Sequence, residues 1–246
     1  MTIDLRCGRW EDVLVDVTCD ALIVDAPYSA RTHRGHDARA DVVATAGEPR
    51  NNAARQALGL DPARRALGYD HWTPADVHAF VESWERRTRG WIVTLTDHYL
   101  ASAWEHALAA AGRYVFSPIA CVEPGSRVRL AGDGPSQWST YCVVARPAHL
   151  RDWGTLPGAY VVPNGQGETR GERPVTGGKP LWLMRALVRD YSRRGEVVCD
   201  PCAGGATTLI AAAMEGRAAV GAEALPAHFE LAQARIARGY TPTLFG

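Results

Sequence analysis

Three acids close three apolar runs in this chain, and the chemistry it can do starts from them. Ala21-Leu22-Ile23-Val24 ends in Asp25-Ala26-Pro27-Tyr28, Val197-Val198-Cys199 ends in Asp200, and Ala218 to Ala222 ends in Glu223. Pro27 keeps Ala26 out of the helical region. This turns the Asp25 carboxylate and the Ala26 carbonyl toward one space beyond the strand. Two acceptors there can take both N–H hydrogens of a primary amine on an aromatic ring and leave its lone pair aimed at an electrophile. Tyr28 offers such a ring a flat face for stacking. Four residues of this kind describe a strand end, a turn and a packed tyrosine equally well, so the tetrapeptide becomes a site only in company.

That company is present. Asp200-Pro201-Cys202-Ala203-Gly204-Gly205-Ala206-Thr207-Thr208 runs straight into the Ala-rich stretch Leu209 to Met214. Small residues let a backbone pass close to a ligand, and amides at a helix start can hold polar groups. Glu223 ends the next strand, the position from which an acid grips a ribose hydroxyl pair. Thr176-Gly177-Gly178-Lys179-Pro180 places the only lysine of the chain at another helix start facing this loop, where a cation can hold a carboxylate. Together these residues describe a nucleoside-bearing cofactor site in an α/β sheet.

The elements needed to position them are legible. Strands are expected at Ile3–Cys7, at 20–25 and 90–95, and in the runs before Asp200 and Glu223. Helices are expected at 11–17, at 75–87 (Thr73 as N-cap, Pro74 in the first turn), at 100–111 before Gly112, at 180–191, and from Pro226 toward Arg238. Residues 114–122 and 141–146 suggest an antiparallel pair, and 150–178 reads as loop. This alternation predicts a doubly wound, mostly parallel α/β sheet with an antiparallel hairpin at one edge, in a single domain over residues 1–246.

Composition narrows the choices. At 46% hydrophobic and 22% charged, the 246 residues match a soluble globular chain, with 27 basic and 27 acidic side chains. No global basic field marks a nucleic-acid binder, so any such contact has to come from a local patch. A single lysine excludes Walker-type phosphate loops elsewhere in the chain. No apolar run reaches membrane-spanning length, and the first residues lack a signal-peptide core, which suggests a cytoplasmic protein. Of the six cysteines only Cys199 and Cys202 form a CxxC pair, without partners at zinc spacing, so no metal is expected. His33-Arg34-Gly35-His36 likewise lacks a third ligand. Residues 29–66 carry seven arginines against four acids and lose all apolar periodicity, a mildly basic loop or a disordered stretch.

The motifs in this order resemble the S-adenosylmethionine-dependent amino-methyltransferases of DNA, in the permuted arrangement called the β class. Asp25-Ala26-Pro27-Tyr28 is similar to their catalytic (D/N/S)PPY tetrapeptide, Lys179-Pro180 to their KP motif, Asp200 to Thr208 to their DPFxGxGTT loop, and Gly221-Ala222-Glu223 to their acidic second strand. The resemblance implies a Rossmann-like class I methyltransferase fold with S-adenosylmethionine as cofactor and double-stranded DNA as partner, in a monomer or a homodimer. It implies that Asp25 and the Ala26 carbonyl orient the target amine while Tyr28 stacks on a flipped base. Asp200, Pro201, Cys202, Gly204 and Gly205 would hold the methionine end of the cofactor, with Lys179, Pro180 and Thr207 nearby. Glu223 would bind the ribose, and Gly8 and Arg9 would lie against the adenine. Four residues depart from the pattern: Ala26 replaces a proline, Cys202 a common aromatic, Ala206 a glycine, and Arg9 a frequent aspartate. The acid at position 25 resembles the adenine-N6 subgroup, whereas serine is more typical of cytosine-N4 enzymes. Cytosine-N4 and RNA methyltransferases, and a relic that binds without turnover, remain as alternatives. Residues 29–70 and 147–175 are the candidate target-recognition segments.

Overall fold

The runs Ala21–Asp25 and Ile92–Thr96 are buried along nearly their whole length, as strands are when helices cover both faces of a sheet. In the computed structural model, which describes residues 2–33, 69–123, 140–162, 175 and 177–239, these runs are neighbours at the sheet centre. The elements in chain order are β1 (Ile3–Cys7), α1 (Trp10–Val13), β2 (Ala21–Asp25), α2 (Pro74–Trp84), β3 (Ile92–Thr96), α3 (Ala101–Ala110), β4 (Arg113–Val115), β5 (Ile119–Val122), β6 (Thr140–Pro147), β7 (Ala159–Val161), α4 (Leu181–Tyr191), β8 (Val197–Asp200), α5 (Thr207–Met214), β9 (Ala218–Glu223) and α6 (Pro226–Ala237).

Nine strands form one sheet in the order β1-β9-β8-β2-β3-β6-β5-β7, with β4 also on β6. From β1 to β3 every pairing is parallel; β6 then runs antiparallel to β3, β4 and β5. The chain proceeds from β8 to β9 in one direction across the sheet and from β2 to β3 in the other. The β8–β2 boundary is therefore the switch point at which open α/β sheets leave a crevice beyond their strand ends.

One face is covered by α4, α5 and α6, which bury Leu183, Met184, Leu187, Leu209 and Ala232. The other is covered by α2 and α3, with Phe80, Trp84, Trp104 and Leu108 packed on Leu22 and Val24. Each buried Leu, Val, Met or Phe side chain contributes about 1.5–3 kcal/mol by leaving water. The expected cap of α2 is present as a capping box: the Thr73 N–H donates to the Asp76 carboxylate (2.8 Å), and the Asp76 N–H donates to the Thr73 hydroxyl (3.4 Å). The small residues of α5 let it press on the sheet at Gly221. A Cβ there would stand 2.6 Å from the Asp200 carbonyl oxygen and 3.1 Å from both Leu209 methyls.

The structure differs from the sequence expectation at four places. Helix α1 stops at Val13 rather than Val17. Residues 114–122 are two strands, β4 and β5, and both pair with β6. The expected β5–β6 hairpin lies inside the edge rather than at it. The edge is β7, inside the stretch read as loop, and it is parallel to β5. With three residues, of which only Tyr160 is buried, β7 is too short to show a strand period. Its tyrosine hydroxyl donates to Asp190 Oδ2 (2.6 Å) at the end of α4.

Candidate functional site

The register of the parallel strands brings the three acids to one edge. Cys7 of β1 stands beside Glu223, Asp200 beside Gly221, and Asp25 beside Leu95. Glu223, Asp200 and Asp25 thus end three successive strands, β9, β8 and β2, on both sides of the switch point.

Around Asp25 the contacts are close. Tyr28 donates its hydroxyl to Asp25 Oδ1 (3.1 Å), and Lys179 Nζ donates to Asp25 Oδ2 (2.8 Å) and to the Gly177 carbonyl (3.1 Å). Lys179 Nζ also lies 4.8 Å from the centre of the Tyr28 ring. Burial, and next the Asp25 charge, push the Tyr28 phenol well above its ordinary range, so it remains a protonated donor. An ionised carboxylate has about four acceptor positions. With these two partners, Asp25 keeps acceptor capacity on each oxygen. The lone lysine therefore does hold a carboxylate, but it is the one on β2.

Asp200 is 1% exposed. Its Oδ1 accepts the Cys202 N–H (3.1 Å), and the Thr208 hydroxyl also bonds to the carboxylate. Burial, with a smaller push from the charges of Asp25 and Glu223, raises its carboxyl to about 7 against the pull of those two bonds. The loop that follows is pinned by bonds from Ala203 N–H to Ala222 O (2.8 Å) and from Ala206 N–H to Ala203 O (2.7 Å). At Gly204, with φ +51°, the space where a Cβ would stand is open. Ala206 takes φ +60°, a left-handed conformation ordinarily left to glycine. It stands where the resembled motif has glycine, and its methyl is fully buried. From α6, Arg235 donates to the Gly205 carbonyl (2.9 Å) and to the Thr207 hydroxyl (2.7 Å). Thr207 is thereby tied to the loop scaffold.

Glu223 is 8% exposed. Its Oε1 accepts the Leu225 N–H (2.8 Å), and His228 Nδ1 stands 3.8 Å away. The Gly8 N–H donates to the Glu223 carbonyl (2.9 Å). Arg9 instead points outward, paired with Glu11 at 2.8 Å with 71% of its side chain exposed.

Two contributors were not among the expected site residues. Arg235 has no motif around it; only its place on the helix after Glu223 hints at a role. Tyr69 comes at the end of the long polar segment. Its hydroxyl lies beside Gly177, 3.9 Å from where a Cβ would stand, next to the carbonyl that Lys179 bonds. Desolvation, then the charges of Asp25, Cys202 and Glu223, push its phenol above its ordinary range. Thr176 and residues 34–68, which include Arg34 to His36, lie outside the described residues. In the second candidate segment, β6 ends far from the acids. Trp153 packs against Trp91 (5.8 Å between rings) and donates its indole N–H to the Asp190 carbonyl (2.5 Å). β7, parallel to β5, ends at Val161 on the side of the sheet that bears the acids, and residues 163–174 of that segment lie outside the described residues. Among the described residues no cluster of three metal-ligating side chains occurs, and no helix is long and apolar enough to cross a membrane.

Residues 152–234 match the family described as DNA methylase, of the N6 and N4 methyltransferases, and the resemblance read from the motifs holds over that span. No curated protein matches the chain. Among solved structures, M1.HpyAVI in complex with SAM is 15% identical, with a TM-score of 0.66 over 96% of this chain and 99% of that one. The Thermus thermophilus protein TTHA0409, a putative DNA modification methylase, is 20% identical, with a TM-score of 0.59 over 97% of each chain. The cytosine-N4-specific PvuII DNA methyltransferase is 11% identical, with a TM-score of 0.60 over 96% of this chain and 86% of that one. The fold is that of the class I methyltransferases.

Proposed function

We propose that the chain is an S-adenosylmethionine-dependent DNA methyltransferase and that its acceptor is the exocyclic N6 amine of adenine, reached by flipping the base out of the duplex. The observation that carries this reading is the alignment of Asp25, Asp200 and Glu223 at the ends of three successive parallel strands, with the switch point between Asp25 and the other two. The DNA methylase match over residues 152–234 includes Asp200 and Glu223. A cytoplasmic location accords with this activity.

The residues present fit the cofactor. Asp200 would take its amino group, the loop of Gly204 and Gly205, open at Gly204, its methionine end, and Glu223 its ribose. Gly8, bonded to the Glu223 backbone, would hold the end of β1 where the adenine is expected. When bound, this group supplies an electrophilic methyl on a sulfonium. Asp25 and the Ala26 carbonyl accept the two hydrogens of the target amine and fix its lone pair, while Tyr28 stacks on the base. Lys179 and Tyr28 hold the Asp25 carboxylate in place. Positioning of this kind lowers the barrier without a strong base.

The test is incubation with S-adenosylmethionine and unmethylated duplex DNA, followed by nucleoside analysis by mass spectrometry. N6-methyladenine is the expected product. N4-methylcytosine would overturn the choice of base, and methylation of RNA alone would overturn the choice of nucleic acid. Cofactor binding with no product on either would leave only a binding relic.

A further inference from the structure

The tetrapeptide is followed at once by a segment that leaves the sheet and returns at Trp72, and both limbs are tied at its base. On the return limb the Trp72 N–H donates to the Tyr28 carbonyl (3.0 Å), and Ser29 and Trp72 form an isolated parallel bridge. On the outgoing limb the bonds converge on Asp97, the residue directly after β3.

Asp97 is 1% exposed. Its Oδ1 accepts the N–H groups of Tyr99 and Leu100, each at 3.0 Å, where α3 begins. Its Oδ2 accepts the Ser29 N–H (3.0 Å), the Ser29 hydroxyl (2.6 Å) and the Thr32 hydroxyl (2.5 Å). One carboxylate thus joins the end of β3 and the start of α3 to the turn that carries the chain away from Tyr28. A carboxylate suits this place because it only accepts: its roughly four acceptor positions are filled, with the Ser29 N–H, the Ser29 hydroxyl and the Thr32 hydroxyl sharing Oδ2. Burial works to push the carboxyl up, but the Ser29 and Thr32 bonds and the backbone amides hold it below its ordinary range.

We propose that Asp97 is a positioning residue for the tetrapeptide: by holding Ser29 and Thr32 it sets where Tyr28 stands beside Asp25, without itself touching substrate or cofactor. The inference rests on the reading that Asp25 to Tyr28 faces the target amine. It predicts a division between binding and turnover. The groups assigned to the cofactor sit at the ends of β8 and β9, in the loop after β8 and just past β1, and Asp97 bonds to none of them.

The test compares wild type with Asp97→Asn and Thr32→Val. The Asp97→Asn side chain keeps one oxygen for the α3 amides but turns an NH₂ group toward the Ser29 N–H. Thr32→Val removes a single donor at nearly constant shape. Three quantities are read: amide hydrogen exchange over residues 25–33 and over 197–214, cofactor Kd, and kcat on DNA at saturating cofactor. For Asp97→Asn, exchange over 25–33 is expected to rise at least about tenfold with no change over 197–214. Its kcat should fall about 10²-fold with cofactor Kd within about twofold, and Thr32→Val should show the same pattern more weakly. Unchanged exchange over 25–33, loosening of both regions together, or a Kd that worsens in step with kcat would overturn the proposal, as would local loosening with normal kcat. If wild type methylates no nucleic acid, the proposed function fails, and the exchange comparison alone decides whether Asp97 holds the segment.

Discussion

Replacing Asp200 with asparagine should make the protein more stable at alkaline pH and flatten its response to pH. Asp200 is 1% exposed, and burial pushes its carboxyl from the ordinary 3.8 up to about 7 in the folded state. A carboxyl with a raised folded pKa favours the folded state while it is protonated, and that advantage drains away as pH rises from about 4 to about 7. Each unit is worth about 1.4 kcal/mol, so a gap of roughly three units amounts to about 4 kcal/mol in all, of which about 2.5 kcal/mol falls between pH 5 and pH 8. Asp200→Asn keeps an oxygen for the Cys202 N–H and has nothing to titrate. Urea unfolding of both proteins at pH 5 and pH 8 measures the effect, because titrating groups that do not interact with Asp200 cancel in the difference. The stability difference should shift by about 2.5 kcal/mol in favour of the variant at the higher pH. A difference that stays constant within about 0.5 kcal/mol would refute the reasoning. The same proton links to the cofactor: an ammonium group held by Asp200 needs the carboxylate charged, so wild-type affinity should tighten by up to about tenfold per unit as pH rises toward 7.

Three further outcomes follow from the geometry. Asp25→Ala should lower methyl transfer by at least about 10²-fold with cofactor affinity nearly intact. Kinetics beside calorimetric titration checks this, and loss of cofactor binding with normal transfer would reverse the assignment. Lys179→Met breaks the 2.8 Å pair with Asp25, whose partners have 13% and 24% of their side chains exposed, and should cost about 1–2 kcal/mol of stability. A double-mutant cycle with Asp25→Asn should return a coupling of about 1 kcal/mol or more, and strict additivity would show the pair to be idle. Gly221→Ala would put a methyl 2.6 Å from the Asp200 carbonyl oxygen, so thermal unfolding should report a loss of about 1–3 kcal/mol.

What could be read from the sequence depends on how local each signal is. The three acids were legible because a strand of four to six residues fixes its own direction and its end, and parallel pairing then brings all such ends to one edge. The cap of α2 was legible for the same reason, since Thr73 and Asp76 lie three residues apart. The strand β7 was hidden because three residues carry no period, and it exists only because β5 offers an edge and Asp190 a partner for Tyr160. The partner of Lys179 was hidden in a different way. A lysine at that helix start says only that some carboxylate lies within reach, and Asp25, 154 positions away in the chain, became that carboxylate once β2 was laid beside β8. The departure at Ala206 shows how the two kinds of information combine. The motif marks a glycine position, the structure explains it by a left-handed backbone, and the full burial of the Ala206 methyl, about 0.8 kcal/mol for one buried carbon, offsets part of a strain of about 1–2 kcal/mol.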